Sequence, residues 1–168
     1  MSVTEKRNVV HSTFCIERNY EASPERVFRA FAELETKSKW FGGPDPWVIG
    51  KREFDFRVGG HELLTGGPRG KMEAATGPAN DADCAVEGSR FEARYFDIIP
   101  NQRIIYAYDM YVGGRKLSVS LATVEVTAQG KGTRLTVTEQ GAYLDGVEDG
   151  SQREEGTRWL LDRLGQSL

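Results

Sequence analysis

Histidine and cysteine are scarce in this chain, with two of each in 168 residues. Cys15 and Cys84 form no CxxC pair or disulfide framework, and they read as reduced thiols of a cytoplasmic protein. His61 follows Gly59-Gly60 on a strand and His11 lies near the flexible start. Neither has a second ligand-type residue at metal spacing, so no metal is expected. No cofactor signature stands out either. Walker and GxSxG motifs are absent, and Gly66-Gly-Pro-Arg-Gly70 lacks the helix and the Lys-Ser/Thr pair of a phosphate cradle. No apolar run approaches membrane-spanning length, and the first seven residues lack the apolar stretch of a secretory signal. Basic residues are not in excess: 22 Lys and Arg stand against 25 Asp and Glu, for a net charge of −3, which speaks against nucleic-acid binding.

What is present fits one domain over residues 1–168, with 1–10 expected to be flexible. Apolar residues make up 39% and aromatics 10%, enough for a sizeable core. Nineteen glycines punctuate short alternating segments, as in a sheet with many turns. Helix signals lie near the two ends. Ser23-Pro24-Glu25 supplies an N-cap, a proline in the first turn and an acid, and Val27, Phe28, Phe31 and Leu34 then form one stripe. Ser151-Gln-Arg-Glu154 reads as a capping box, followed by Thr157, Leu160, Leu161, Leu164 and Leu168 at helical spacing.

Between the helices the period is two. Phe14, Ile16 and Tyr20 share one face; Phe54, Phe56 and Val58 alternate with Asp55 and Arg57. Tyr106, Tyr108 and Met110 share a face of a later strand. Gly113-Gly114 marks a hairpin before Leu117, Val119 and Leu121, and the phase then slips to Ala122, Val124 and Val126, which predicts a bulge near Leu121. The stretch from Gly66 to Asp83, rich in small and polar residues, reads as a long loop. The order of strand, helix, antiparallel strands and long helix is α+β.

Taken together, Ala22-Ser-Pro-Glu-Arg-Val-Phe28, Trp40-Phe41, Asp55-Phe-Arg-Val-Gly-Gly60, Phe96-Asp-Ile-Ile-Pro100, Thr138-Glu-Gln140 and Gly156-Thr-Arg-Trp-Leu-Leu-Asp-Arg-Leu164 resemble one known family. It is the activator of heat-shock-protein ATPase homologue-like family, within the START-like (SRPBCC, Bet v-like) superfamily. The resemblance implies a helix-grip fold, a curved antiparallel sheet wrapped around the C-terminal helix. It also implies an internal cavity for an apolar or aromatic small molecule.

Within that frame Glu139 is the most informative residue. It is in step with Leu135 and Val137 on the inward face, where a carboxylate is costly unless paired. It serves either as a polar anchor or general acid/base, or as a structural ion pair at the cavity end. Tyr106, Tyr108, Met110, Tyr95 and Phe56 suit a pocket for a flat ligand and equally suit plain core packing. Trp40 and Phe41, before a Gly/Pro loop, either gate an entrance or pin that loop over the core. Gly156, with Trp159 and Leu160 close by, sits mid-helix where glycine is costly, so either a ligand or a close backbone crossing needs its space.

Three functions follow as expectations. The first is binding of a small hydrophobic or aromatic molecule between sheet and helix. The second is a cyclase, dehydratase or hydrolase working on a polyketide-like substrate with Glu139 as the candidate catalytic group. The third is a chaperone-binding module. Membrane insertion is not expected, and homodimerisation is left open.

Overall fold

The computed structural model describes residues 7–69 and 88–168. Among the described residues seven strands and three helices follow one another: β1 (Val9–Tyr20), α1 (Pro24–Ala32), α2 (Leu34–Lys37), β2 (Trp47–Phe54), β3 (His61–Pro68), β4 (Ser89–Ile99), β5 (Arg103–Val112), β6 (Arg115–Gln129), β7 (Gly132–Leu144) and α3 (Gly150–Ser167). All strand pairs are antiparallel, in the spatial order β1-β7-β6-β5-β4-β3-β2. This curved open sheet with its C-terminal helix is the helix-grip arrangement. No helix among the described residues is long and apolar enough to cross a membrane.

Local chemistry explains most element boundaries. Ser23 caps α1 by accepting a hydrogen bond from the Arg26 amide, and Val27, Phe28 and Phe31 are buried as one stripe. Leu34 does not continue that stripe. The backbone turns extended at Glu33, α2 starts afresh, and Leu34 faces solvent at 43% exposure. Helix α3 begins earlier than expected: Asp149 is the N-cap and forms the capping box with Gln152, its carboxylate accepting from the amide at the third helical position. Strand β2 ends at Phe54. Residues beyond it turn through a hydrogen bond from the Gly60 amide to the Arg57 carbonyl, which leaves Val58 exposed.

The phase of β6 differs from the expected one in a way that shapes the interior. Gly113 and Gly114 both adopt positive φ and make the β5–β6 turn. The register then shifts opposite Met110 and Tyr111, with Leu117 as the extra residue. The bulge therefore lies at Leu117 and not at Leu121. Beyond it Ser118, Ser120, Ala122, Val124 and Val126 point inward, whereas Val119 and Leu121 are exposed on the outer face. Three small inward residues in succession leave space under the middle of the sheet.

At one end of the sheet that space is filled. Leu161 and Leu164 of α3 pack with Phe14, Ile16, Phe28, Phe31, Val124, Leu135 and Val137 in the main core. Burying such a leucine stabilises the fold by about 2 kcal/mol. Val9, Val10 and His11, within or beside the segment expected to be flexible, open β1 opposite Leu144, Tyr143 and Ala142. Gly66, Gly67 and Pro68 belong to β3, not to a loop. Beyond Arg69 the rest of the expected loop lies outside the described residues, as does Cys84.

Candidate functional site

Between the sheet and α3 lies a cavity of about 280 Å³, open to one side. The sheet under it is ordered in rows, from which Leu64, Phe91, Tyr106, Tyr108, Met110 and Glu139 line the space. One row runs Tyr95, Tyr106, Ala122, Glu139 and Phe14; the next runs Ala93, Tyr108, Ser120 and Gly141; a third brings Leu64, Phe91, Met110 and Ser118 together. Large aromatics on β4 and β5 thus face small residues on β6. Phe91 tilts against Tyr108 at 4.8 Å between ring centroids, and Tyr106 stands 5.9 Å from Tyr108. Edge-on and tilted packing of this kind gives an aromatic wall its shape.

The closed end is polar. The Tyr108 hydroxyl donates to Glu139 Oε1 at 2.7 Å and accepts from Arg153 Nη1 at 2.7 Å; Arg153 Nη1 also lies 3.4 Å from Glu139 Oε1. The remaining donors of Arg153 are engaged as well. Nε and Nη2 hold the two oxygens of Glu148 at 3.1 and 2.8 Å, and Nη2 donates to the Ser118 hydroxyl at 2.8 Å. Glu139 is 3% exposed. Burial raises its pKa above the usual carboxylate range, while the Tyr108 hydrogen bond and the Arg153 charge draw it partly back. Burial also raises the Tyr108 hydroxyl, with the Glu139 charge adding to the effect, so it stays a phenol at neutral pH.

The loop after α2 covers part of the cavity. Trp40 is pinned by its indole N–H to the Ala30 carbonyl at 2.9 Å and packs edge-on to Phe31, so it is a structural peg that also lines the space. Phe41 stands edge-on to Trp40 and to Phe91 and forms a side wall. Trp47 lies flat on two glycines: a Cβ at Gly43 or Gly66 would fall 2.2 or 2.5 Å from its ring. Arg163 of α3 donates to the carbonyls of Gly42 and Gly43 at 3.3 and 3.4 Å and stacks on Trp159, tying loop to helix at the mouth.

Of the residues singled out in the sequence, Trp40, Phe41, Tyr106, Tyr108, Met110, Glu139, Gly156, Trp159 and Leu160 all line this one cavity. Gly156 and Trp159 are at its exposed rim, and a Cβ on Gly156 would meet nothing within 4 Å, so no backbone crossing requires the glycine. Phe56 and Tyr95 do not line it. Phe56 packs edge-on to Phe28 and Tyr95 beneath α1, and the Tyr95 hydroxyl donates to Glu62 at 2.6 Å.

That contact belongs to a second buried cluster that the sequence did not reveal. Lys37 Nζ reaches Glu62 Oε2 at 2.5 Å and lies 4.7 Å from the centre of the Phe41 ring, and Arg52 approaches the other Glu62 oxygen at 3.8 Å. Burial lowers the Lys37 pKa, opposed by the Glu62 charge. Arg153, missed as well, had a signal. It lies one helical turn before Gly156 and Thr157 on the stripe that continues through Leu160, Leu161 and Leu164. The second histidine, His61, pairs with Glu53 on the outer face at 2.7 Å.

A curved antiparallel sheet gripping a C-terminal helix around an interior cavity defines a START-like helix-grip protein. Residues 21–168 match the family model described as Activator of Hsp90 ATPase homolog 1-like protein, and the chain belongs to that family. Among solved structures, a Rhizobium loti protein is 43% identical, with a TM-score of 0.78 over 96% of this chain and 99% of that one. A Rhizobium leguminosarum protein is 36% identical, with a TM-score of 0.80 over 96% and 97%. An AHSA1-like protein from Aeromonas hydrophila shares the fold at 18% identity and a TM-score of 0.64, over 93% of this chain and 91% of that one. None of the curated proteins matches the chain.

Proposed function

We propose that this protein binds a small hydrophobic or aromatic molecule in the cavity between the sheet and α3. One observation carries the reading: an interior space of about 280 Å³, walled by Phe41, Phe91, Tyr106, Tyr108 and Met110, with its polar groups gathered at one end. Apolar walls supply affinity through the area they remove from water, and a few fixed polar groups supply orientation. The volume lies near the lower end of the roughly 300–1,000 Å³ usual for small-molecule sites, which favours a compact ring system over a long lipid chain. The test is titration with the neutral probe N-phenyl-1-naphthylamine, read by its fluorescence and by quenching of the tryptophans at the cavity. Saturable 1:1 binding is expected, and its absence in folded protein would remove the reading.

The Tyr108–Glu139 pair favours a second reading, an enzyme of the cyclase or dehydratase type. A carboxyl in an apolar cavity, its pKa raised by burial and its Oε1 fixed by the Tyr108 hydroxyl at 2.7 Å, is placed to give a proton to a bound carbonyl and to take one back from the substrate carbon. Turnover that disappears in Glu139→Gln and Tyr108→Phe while probe binding persists would establish it.

A further inference from the structure

The polar end of the cavity has unused hydrogen-bonding capacity. Both contacts to Glu139 go to Oε1. The buried Ser120 hydroxyl also acts on the carboxylate, but no hydrogen bond of ordinary length reaches Oε2 among the described residues, and Glu139 lines the interior space. Two strands away across Ala122, the Tyr106 hydroxyl likewise has no protein partner among the described residues. Strand spacing sets the two backbones about 10 Å apart, so both groups fall along one compact ligand.

Charge at this end points the same way. Arg153 is the cation there, and Glu139 and Glu148 both face it. All of its donor nitrogens are committed, to Tyr108, Glu139, Ser118 and Glu148, so no free fork remains to receive a carboxylate. The other cation near the wall, Lys37, is held by Glu62 behind the Phe41 ring. At the rim Arg163 holds the Gly42 and Gly43 carbonyls. A buried carboxylate would therefore find no free cation, only neutral donors such as the Tyr106 hydroxyl, and would face the Glu139 carboxylate, an arrangement that costs more than it returns.

We infer that the cavity selects an uncharged, compact aromatic molecule carrying a hydroxyl that donates to Glu139 Oε2, and that it rejects the corresponding carboxylate. The inference rests on the ligand-binding reading above and refines it. A hydrogen bond to a charged acceptor is worth enough to separate a hydroxyl-bearing ligand from its bare hydrocarbon by about tenfold or more. Rejection of a carboxylate follows from charge, since the cations at the site, Arg153 and Lys37, are already paired and none is left to neutralise it.

Three matched probes, naphthalene, 2-naphthol and 2-naphthoate, test this on the full chain at neutral pH by tryptophan quenching. The expected order is 2-naphthol tightest, naphthalene about tenfold weaker, and 2-naphthoate weakest. In Glu139→Gln the naphthoate penalty should shrink while naphthalene affinity is retained; in Tyr106→Phe naphthoate should remain excluded. Naphthalene binding with no gain for 2-naphthol, or naphthoate binding as tightly as 2-naphthol, overturns this inference and leaves the cavity reading intact. Failure of all three probes overturns the cavity reading itself. The wild-type comparison needs no variant, so a folding defect in Glu139→Gln leaves it decisive.

Discussion

Arg153 and Glu139 meet at 3.4 Å across the gap between α3 and β7, and the Tyr108 hydroxyl stands 2.7 Å from each of them. This contact ties the first turns of the C-terminal helix to the sheet at the end where apolar packing stops. It also closes the polar end of the cavity, so one network serves both stability and shape.

Arg153→Met should therefore be among the most destabilising single changes outside the apolar core. It leaves Glu139 and Glu148 without their cation. Breaking a buried ion pair costs about 3–5 kcal/mol, read as a lower urea midpoint with an unchanged slope. Adding Glu139→Gln to Arg153→Met should recover part of the loss, because the uncompensated charge is then gone. A loss below about 1 kcal/mol would mean that the network contributes little.

Glu139 also sets a pH signature. Its folded-state pKa lies above the ordinary 4.5, so protonation favours the folded form. That contribution is fully present below the unfolded pKa and is lost as pH rises through the folded value. Urea unfolding of wild type and Glu139→Gln between pH 4 and 8 should show the wild type losing ground to the variant as pH rises above about 4.5. Parallel curves, or a wild type that gains with pH, would contradict the assignment.

The second cluster makes a separate prediction. Glu62→Gln leaves two cations, Lys37 and Arg52, beside a neutral amide, whereas Glu62 now pairs with the first at 2.5 Å and approaches the second at 3.8 Å. A loss of about 3 kcal/mol or more is expected. The double change Glu62→Gln with Lys37→Met should cost less than the sum of the two single changes, with a coupling energy of roughly 1–3 kcal/mol. Additive effects would show that the contact carries no net energy.

Gly156 separates stability from binding. Its Cβ position is open, so Gly156→Ala should stabilise α3 by about 0.5–1 kcal/mol through helix propensity. Gly156→Leu sends a larger side chain to the cavity rim and should weaken probe binding several-fold in a fully folded protein. Unchanged probe affinity there would place the ligand away from the rim.

Much of this was legible in the residues, and the failures have identifiable causes. The Ser23-Pro24 start of α1 and the inward phase of Glu139 with Leu135 and Val137 follow from local periodicity, which tertiary packing preserves. The phase of β6 departs from its sequence periodicity because a single extra residue, Leu117, inverts every side chain after it, and the exposed Val119 and Leu121 look like core. Arg153 is hidden from such periodicity because a charged residue on an apolar stripe reads as the end of the stripe. The Lys37–Glu62 pair joins residues 25 apart on different elements, and no local spacing encodes that contact.

The most direct measurement is native mass spectrometry of protein purified under mild conditions, followed by extraction and identification of anything retained. A reproducible added mass, removed by denaturation and diminished in Gly156→Leu, is the predicted result. A clean apo mass, together with no thermal stabilisation by neutral aromatic probes near saturation, would contradict the account.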